Sequence, residues 1–207
     1  MTAICENSLY GMCRCKKKYH LPLTLPLYDG HCHVDLFFKY GLSQGKFNEL
    51  LSHGRKIILI DNRHQHYRWF TNYVIESPNV KIFTTFGIHP KYLPDDAQPV
   101  LQQLDNILKD KCHLNTAIVA IGECDIDSTS TWSIDYQLCL FKSQLKIAAE
   151  LNLPIVLHAR GNNSFETMLN ELKIHLHHTH EIHWHGLNSK TNLNIISDFL
   201  NYFQKGF

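Results

Sequence analysis

Short apolar runs alternate with segments of helical period along most of this chain, starting at Leu27. The runs are rich in β-branched residues and short, as is typical of buried strands. They predict strands at residues 27–33, 56–61, 81–88, 117–122, 154–158 and 181–185. Strands that alternate with helices in this way predict repeated βα units around a parallel sheet.

The segments between the strands place apolar residues three and four positions apart, which gives each helix one apolar face. Two such sets are Leu101, Leu104 and Leu108, and Leu138, Phe141, Leu145 and Ala148. Asn163 with Glu166 three positions later predicts a capping box that opens the helix after the fifth strand. A last amphipathic helix is indicated by Leu193, Ile196, Phe199, Leu200 and Phe203.

The number of units leaves two architectures open. Six βα units occupy about 180 residues, whereas a closed barrel of eight units typically has about 250. A TIM-type (β/α) barrel would therefore lack two units. Its two open strand edges would then be covered by a partner or self-association, or the chain would be a truncated form of poor stability. A complete, open, doubly wound sheet of six strands fits the same pattern.

Residues 1–26 show neither strand nor helical period, so we expect a poorly ordered N-terminal extension outside the main domain, residues 27–207. Its potential zinc ligands are Cys5, Cys13, Cys15 and His20, whose spacing matches no zinc module well. Its basic cluster at residues 14–18 is interpreted as solvated, with nuclear import or phosphate binding as the alternative.

Composition narrows the class of protein. A formal net charge of +1 excludes the strongly basic nucleic-acid-binding domains, so attraction for a polyanion must be local or come from bound metal. Seven cysteines, an odd number, fit a reducing intracellular compartment, cytoplasm or nucleus, better than a disulfide framework. No apolar run approaches the ~20 residues of a membrane span, so we expect no membrane partner.

Residues that can bind metal recur at the carboxyl ends of the predicted strands: His31, His33, His89, Glu123, His158, His183 and His185. Active sites of parallel barrels are assembled at this edge. His31 and His33 alternate on one strand, so both imidazoles can reach one ion. His183 and His185 repeat this arrangement, and we assign the ligand role to His185 first. The preceding histidines, His175, His177, His178 and His180, are expected in a solvated helix end and loop.

Each of these side chains also has an ordinary interpretation. Alternate histidines can be satisfied surface or core residues, His158 alone is more often structural, and Glu123 can form an ion pair with Arg160 or a lysine. Arg160 is also placed to bind a phosphate or carboxylate through two parallel hydrogen bonds from its planar guanidinium group. Taken jointly, four imidazoles around a central carboxylate form a ligand set for two divalent ions. Such ions activate water at neutral pH and neutralise charge on a phosphoryl group.

These motifs together resemble the TatD family of metal-dependent deoxyribonucleases. Residues 29–36 are similar to the family's D-x-H-x-H-x-D-L opening, residues 86–90 to its G-x-H-P, and residues 120–123 to its strand-four signature. The stretch 137–160 is similar to Q-x-x-x-F-x-x-Q-x-x-x-A followed by P-x-x-x-H-x-R. Residues 182–189 resemble the I-H-x-H-C-F-T-G form of the animal branch called TatD domain-containing protein 2, although Gly-Leu-Asn-Ser replaces Cys-Phe-Thr-Gly.

The resemblance implies a TIM-type barrel that hydrolyses DNA phosphodiesters, often from 3′ ends, with Mg²⁺ as the working ion and Mn²⁺ or Zn²⁺ as alternatives. By position, the ligands of two divalent ions would be His31, His33, Glu123, His158 and His185. Glu123 would also be catalytic, and His89 and Arg160 would contact the substrate phosphate. The family's strand-eight aspartate, a metal ligand, has no counterpart before Phe207. Residues 124–127 add carboxylates that would tune metal binding or repel a polyanion.

Three functions remain open on these grounds. The first is a deoxyribonuclease, with DNA as its substrate and possible 3′ exonuclease action. The second is a truncated, non-catalytic remnant that binds a partner or phosphate, which the missing aspartate favours. The third is a metallohydrolase of small-molecule esters or amides; near-neutral charge favours it, whereas Glu123 in place of a strand-four lysine argues for the nuclease.

Overall fold

The computed structural model describes residues 25–51, 56–63, 78–110, 117–158, 160–161, 164–186 and 192–206. The candidate zinc ligands, the basic cluster and Asn163 lie outside these residues. The described elements are β1 (Leu27–Cys32), α1 (Val34–Lys39), α2 (Gln44–Leu51), β2 (Ile57–Arg63), β3 (Val80–Phe86), α3 (Ala97–Lys109), β4 (Ala117–Cys124), α4 (Ile134–Leu151), β5 (Ile155–Leu157), α5 (Ser164–His175), β6 (Ile182–Trp184) and α6 (Leu193–Tyr202).

The strands form one parallel sheet in the order β1-β2-β3-β4-β5-β6. A doubly wound sheet reverses its strand order at a switch point, so this sequential order excludes that alternative. His31 on β1 and His185 after β6 stack with ring centroids 3.5 Å apart. Five strand spacings in a flat sheet would separate them by about 24 Å. The sheet is therefore curled into a half-barrel, which confirms the predicted TIM-type fold.

Helices cover the outside of the curled sheet and bury two apolar clusters. The larger cluster joins β3 to β6 with α3 to α6 and includes Phe86, Leu104, Phe141 and Met168. The smaller one joins β1 and β2 with α1 and α2, around Val34 and Phe47. None of the helices in the described segments is long and apolar enough to cross a bilayer.

The longest helix, α4, has clear start and stop signals. Ser133 caps its N-terminus by accepting a hydrogen bond from the backbone of Tyr136. Asn152 ends it in the left-handed conformation, with φ 49°. Its buried face includes Phe141, Leu145 and Ala148, as the helical spacing predicted.

The predicted last amphipathic helix is present as α6, and one expectation about the C-terminal part is wrong. In α6 and at its end, Phe199 and Phe203 are in the core, while Leu193 and Leu200 are 78% and 51% exposed. His180 was expected in solvent, yet it is buried and its Nε2–H donates to the carbonyl of Leu153 (2.9 Å). This bond joins the start of β5 to the turn before β6.

The outer edge of β6 makes one further backbone pairing, with residues that follow α6. The backbone N–H of Ile182 donates to the carbonyl of Lys205 (3.4 Å), and Gly206 pairs with Ile182 in parallel. Residues after α6 thus return alongside β6, as the next βα unit of a barrel would.

Candidate metal centre at the carboxyl edge of the sheet

Glu123 lies at the end of β4 and is 1% exposed. Its Oε1 atom is 3.0 Å from Nδ1 of His158 and 3.2 Å from Nε2 of His31. Its Oε2 atom is 3.6 Å from Nε2 of His33. A carboxylate buried without partners would be costly, and here three imidazoles from two strands surround it.

The donor atoms fall into two groups that share Glu123. One comprises His31, His33 and Glu123, and the other His89, Glu123 and His158; within each group the atoms lie within 4.8 Å of one another. Nε2 of His158 is buried without a hydrogen-bond partner in the described part of the chain. Imidazole and carboxylate donors at this spacing fit divalent ions, and a shared carboxylate fits a pair of them.

Hydrogen bonds to the second ring nitrogen define what two of these histidines can do. The carbonyl of Asn62 can only accept, so Nδ1 of His33, 2.9 Å away, carries the proton and Nε2 keeps its lone pair for a metal. His89 is the opposite case, because its Nδ1 accepts from the backbone N–H of Lys91 (3.1 Å). Nε2 of His89 therefore carries the proton and is suited to donate to an anion, which leaves Glu123 and His158 as the metal donors of the second group.

The two histidines of β6 lie beside the site but outside both donor groups. The ring of His185 stacks on His31, and its centroid is 6.4 Å from that of His158. The ring of His183 is 6.2 Å from that of His31. Burial, assisted by the neighbouring imidazoles, lowers the pKa of His185 to about 4 and also lowers the pKa of His183. Both rings are neutral at pH 7, the state that binds metal.

Arg160 is held at the rim by its backbone while its side chain is exposed. Its N–H donates to the carbonyl of Ile126 (3.4 Å), and its carbonyl accepts from the N–H of Ser128 (3.1 Å) and from Oγ of Ser164 (3.0 Å). A guanidinium exposed next to the His158 strand end can contact a ligand from the solvent side.

Two buried glutamines of α4 hold the loops that carry the site. Gln144 accepts from the backbone N–H of Ile88 (2.7 Å) and donates to its carbonyl (3.2 Å), directly before His89. Gln137 accepts from the N–H of Asp127 (2.8 Å) and donates to the carbonyl of Trp132 (2.8 Å), in the loop after Glu123. These bonds give a physical reason for both glutamines of the Q-x-x-x-F-x-x-Q stretch.

Sequence reasoning missed a polar cluster at the end of β2. Asp61 is fully buried, and it accepts from the N–H of Val34 (2.8 Å) and from Nε of Arg63 (2.8 Å). Asn62 accepts from His33, as described above. The sequence pattern that could have identified this cluster is the same as for Glu123, namely polar residues at the end of an apolar strand. Such residues lie at the carboxyl edge of the sheet, where the active sites of parallel barrels are assembled.

The carboxylates that follow Glu123 are both buried. Asp125 accepts from the next backbone amide (2.6 Å), and Oδ1 of Asp127 accepts from the N–H and hydroxyl of Thr129 (2.8 and 2.6 Å). Burial raises the pKa of Asp127, but the Thr129 hydrogen bonds and the charge of Lys91 outweigh it and lower the pKa overall. Because both are buried, neither presents an exposed charge that would repel a polyanion.

The comparisons with known proteins agree with this geometry. The family profile described as TatD related DNase matches residues 28–201. An uncharacterized metal-dependent hydrolase from Buchnera aphidicola is 28% identical over 71% of this chain and 54% of its own length. A 3′-5′ ssDNA/RNA exonuclease TatD from Erwinia amylovora is 33% identical over 42% of this chain and 32% of its own length. The chain thus spans about half, or less, of the curated relatives it matches.

Two solved structures show the same fold. YjjV, a TatD homologue from Escherichia coli K12, superposes with a TM-score of 0.62 at 25% identity, over 85% of this chain and 65% of that one. A TatD-like protein from Archaeoglobus fulgidus gives a TM-score of 0.57 at 21% identity, over 84% of this chain and 72% of that one. With the family profile matched along most of its length, this chain belongs to the TatD related DNase family of metal-dependent hydrolases.

Proposed function

We propose that this protein hydrolyses phosphodiester bonds of DNA, acting from the 3′ end, in a metal-dependent reaction. The observation that carries this proposal is the buried carboxylate of Glu123, which lies between His31 and His33 on one side and His158 on the other, at 3.2, 3.6 and 3.0 Å. Two-ion sites of this kind are suited to phosphoryl transfer because they stabilise both the attacking and the leaving oxygen. The names of the TatD exonuclease relatives support the same substrate class.

Five side chains would hold two divalent ions, with Mg²⁺ as the working ion and Mn²⁺ or Zn²⁺ as alternatives: His31, His33, Glu123, His158 and His185. Bound ions would supply an activated water and offset the charge that builds up on phosphorus. Glu123 is the proposed catalytic residue because it contacts ligands from both groups. His185 is neutral and lies beside both His31 and His158, which supports its place in the set.

The substrate phosphate would be held by His89 and Arg160. Nε2–H of His89 donates to a phosphate oxygen, since the other ring nitrogen is already occupied by Lys91. The exposed guanidinium of Arg160 contacts a second oxygen in its planar, two-pronged geometry. Fixing the phosphate between these groups aligns it for in-line attack by water.

The test is cleavage of 3′-labelled single- and double-stranded DNA with Mg²⁺ or Mn²⁺. We expect the wild-type chain to shorten the DNA and Glu123→Ala to be inactive, with metal binding weakened in calorimetry. The matched control is Glu166→Ala, which removes an exposed carboxylate of α5 and should leave cleavage unchanged.

Two results would contradict the proposal. Metal binding without cleavage of any nucleic acid would indicate a binding protein of the family fold. Hydrolysis of small-molecule esters without cleavage of DNA would indicate the alternative substrate class.

A further inference from the structure

The segment after β3 carries two side chains that the proposed function does not use, Lys91 and Tyr92. The backbone N–H of Lys91 donates to Nδ1 of His89 (3.1 Å), and the backbone N–H of Tyr92 donates to the carbonyl of His89 (2.9 Å). Both residues are therefore held in a fixed position relative to the histidine that would donate to the phosphate.

The ammonium group of Lys91 lies 3.5 Å from Oδ2 of the buried Asp127. This distance is too long for a good hydrogen bond, and Oδ2 accepts none from the residues that the structure describes. The side chain of Lys91 is 38% exposed, so its amine is attracted to Asp127 and still accessible to a ligand. Asp127 also pairs through its backbone with Arg160, which places the main chain of Arg160 next to that of Asp127.

Tyr92 adds an aromatic face at the same position. Its ring is half-buried, and its centroid lies 5.4 Å from that of His89 at an interplanar angle of 46°. Aromatic rings next to a cationic backbone-binding groove are the usual elements of single-stranded nucleic-acid sites, because every base offers a face for stacking.

We propose that Lys91 and Tyr92 form a subsite for the nucleotide next to the scissile phosphate. Lys91 binds the neighbouring phosphate and Tyr92 stacks on the base. This inference rests on the proposed function and adds two contacts by which the chain would bind a polynucleotide. In a chain of net charge +1, attraction for such a polyanion must be local, and this subsite supplies it.

The subsite makes different demands on three substrates. A single phosphodiester such as bis(p-nitrophenyl) phosphate has no neighbouring phosphate for Lys91. A blunt duplex has its terminal base paired and stacked, so opening it costs free energy. A single-stranded oligonucleotide offers both the phosphate and the base.

The experiment compares variants of Lys91 and Tyr92 on these substrates. Lys91→Ala keeps the backbone N–H that holds His89, and Tyr92→Leu keeps an apolar side chain without the ring. We expect each to lower kcat/KM on the single-stranded oligonucleotide about tenfold while leaving bis(p-nitrophenyl) phosphate unchanged. Lys91→Ala should also reduce the slope of log K against log salt by about 0.7. Two controls should keep the wild-type kcat/KM on the oligonucleotide. Tyr92→Phe retains the aromatic ring, and Lys146→Ala removes an exposed lysine of α4.

Binding is measured separately, by anisotropy of a labelled oligonucleotide in the Glu123→Gln background. If the wild-type chain cleaves neither the oligonucleotide nor bis(p-nitrophenyl) phosphate, the proposed function fails, and weaker binding by Lys91→Ala and Tyr92→Leu would still support the subsite. Equal losses of kcat/KM on the oligonucleotide and on bis(p-nitrophenyl) phosphate would overturn the inference, since Lys91 and Tyr92 would then act at the reacting phosphate. Unchanged oligonucleotide binding and kinetics would overturn it as well.

Discussion

Replacement of Asp61 tests whether the end of β2 positions the proposed metal ligands. The carboxylate is fully buried and accepts from the N–H of Val34 and from Nε of Arg63, each at 2.8 Å. Val34 directly follows His33 and begins α1. Asp61 therefore fixes the turn that presents the His33 ring to Glu123.

The structure sets the size of the effect. Removing one partner of a buried ion pair costs about 3–5 kcal/mol, and leaving a buried amide without its acceptor costs about 1–3 kcal/mol. Arg63 has further interactions, so we expect the low end of this range, a loss of about 3 kcal/mol in the free energy of unfolding for Asp61→Ala. Asp61→Asn keeps an oxygen for Val34 and should lose about 1–2 kcal/mol.

The assay is urea unfolding with EDTA, followed by metal titration in a calorimeter. Asp61→Leu combined with Arg63→Met removes both charges, and the double variant should be more stable than the sum of the single effects predicts. We expect Asp61→Asn to weaken metal binding about 10-fold to 100-fold, as other outer-shell changes do. A loss below about 0.5 kcal/mol for Asp61→Ala, or unchanged metal affinity, would refute the positioning role.

Three further changes test other parts of the fold. In Gly87→Ala, the added Cβ would lie 2.6 Å from the backbone of Gly122. We therefore expect this variant to lose about 1–3 kcal/mol in the free energy of urea unfolding and to have lower nuclease activity. Asn152→Val should cost about 1–2 kcal/mol in thermal unfolding, since φ is 49° there, whereas Asn152→Gly should be neutral or stabilising. Burial lowers the pKa of His180, so stability should fall as the pH drops below about 6.5, where the unfolded histidine gains a proton first. His180→Gln should reduce that fall between unfolding curves at pH 7.5 and 5.5.

Local patterns in the sequence were sufficient to predict the strands and the polar residues that follow them. Apolar β-branched runs identified each strand, because a parallel sheet is buried on both faces. The residue after each run then had to lie at the carboxyl edge, which brought Glu123 and His158 together as expected. The three-residue strand β5 ends at Leu157, one position before the predicted end, and this does not move His158 from that edge.

Tertiary contacts decided what the sequence did not show. His180 belongs to a run of histidines expected in solvent, and its buried ring is satisfied by the carbonyl of Leu153, a contact between residues 27 positions apart in the chain. Leu200 has helical spacing with Phe199 and Phe203, but its exposure depends on where the neighbouring elements lie. The roles of Asp61 and Asn62 depend on β2 lying next to β1, which no local pattern contains.

The two halves of the candidate site depend on the fold in different ways. His158 lies at the end of β5 and His89 follows β3, and both strands are direct neighbours of β4, so ordinary strand pairing brings these rings to Glu123. His31 lies on β1, three strand spacings from β4, which is about 14 Å in a flat sheet. Its Nε2 atom is nevertheless 3.2 Å from Glu123, a contact that exists only because the sheet is curled. Any change that relaxes the curl therefore separates His31 and His33 from Glu123 first, and leaves the His158 contact in place.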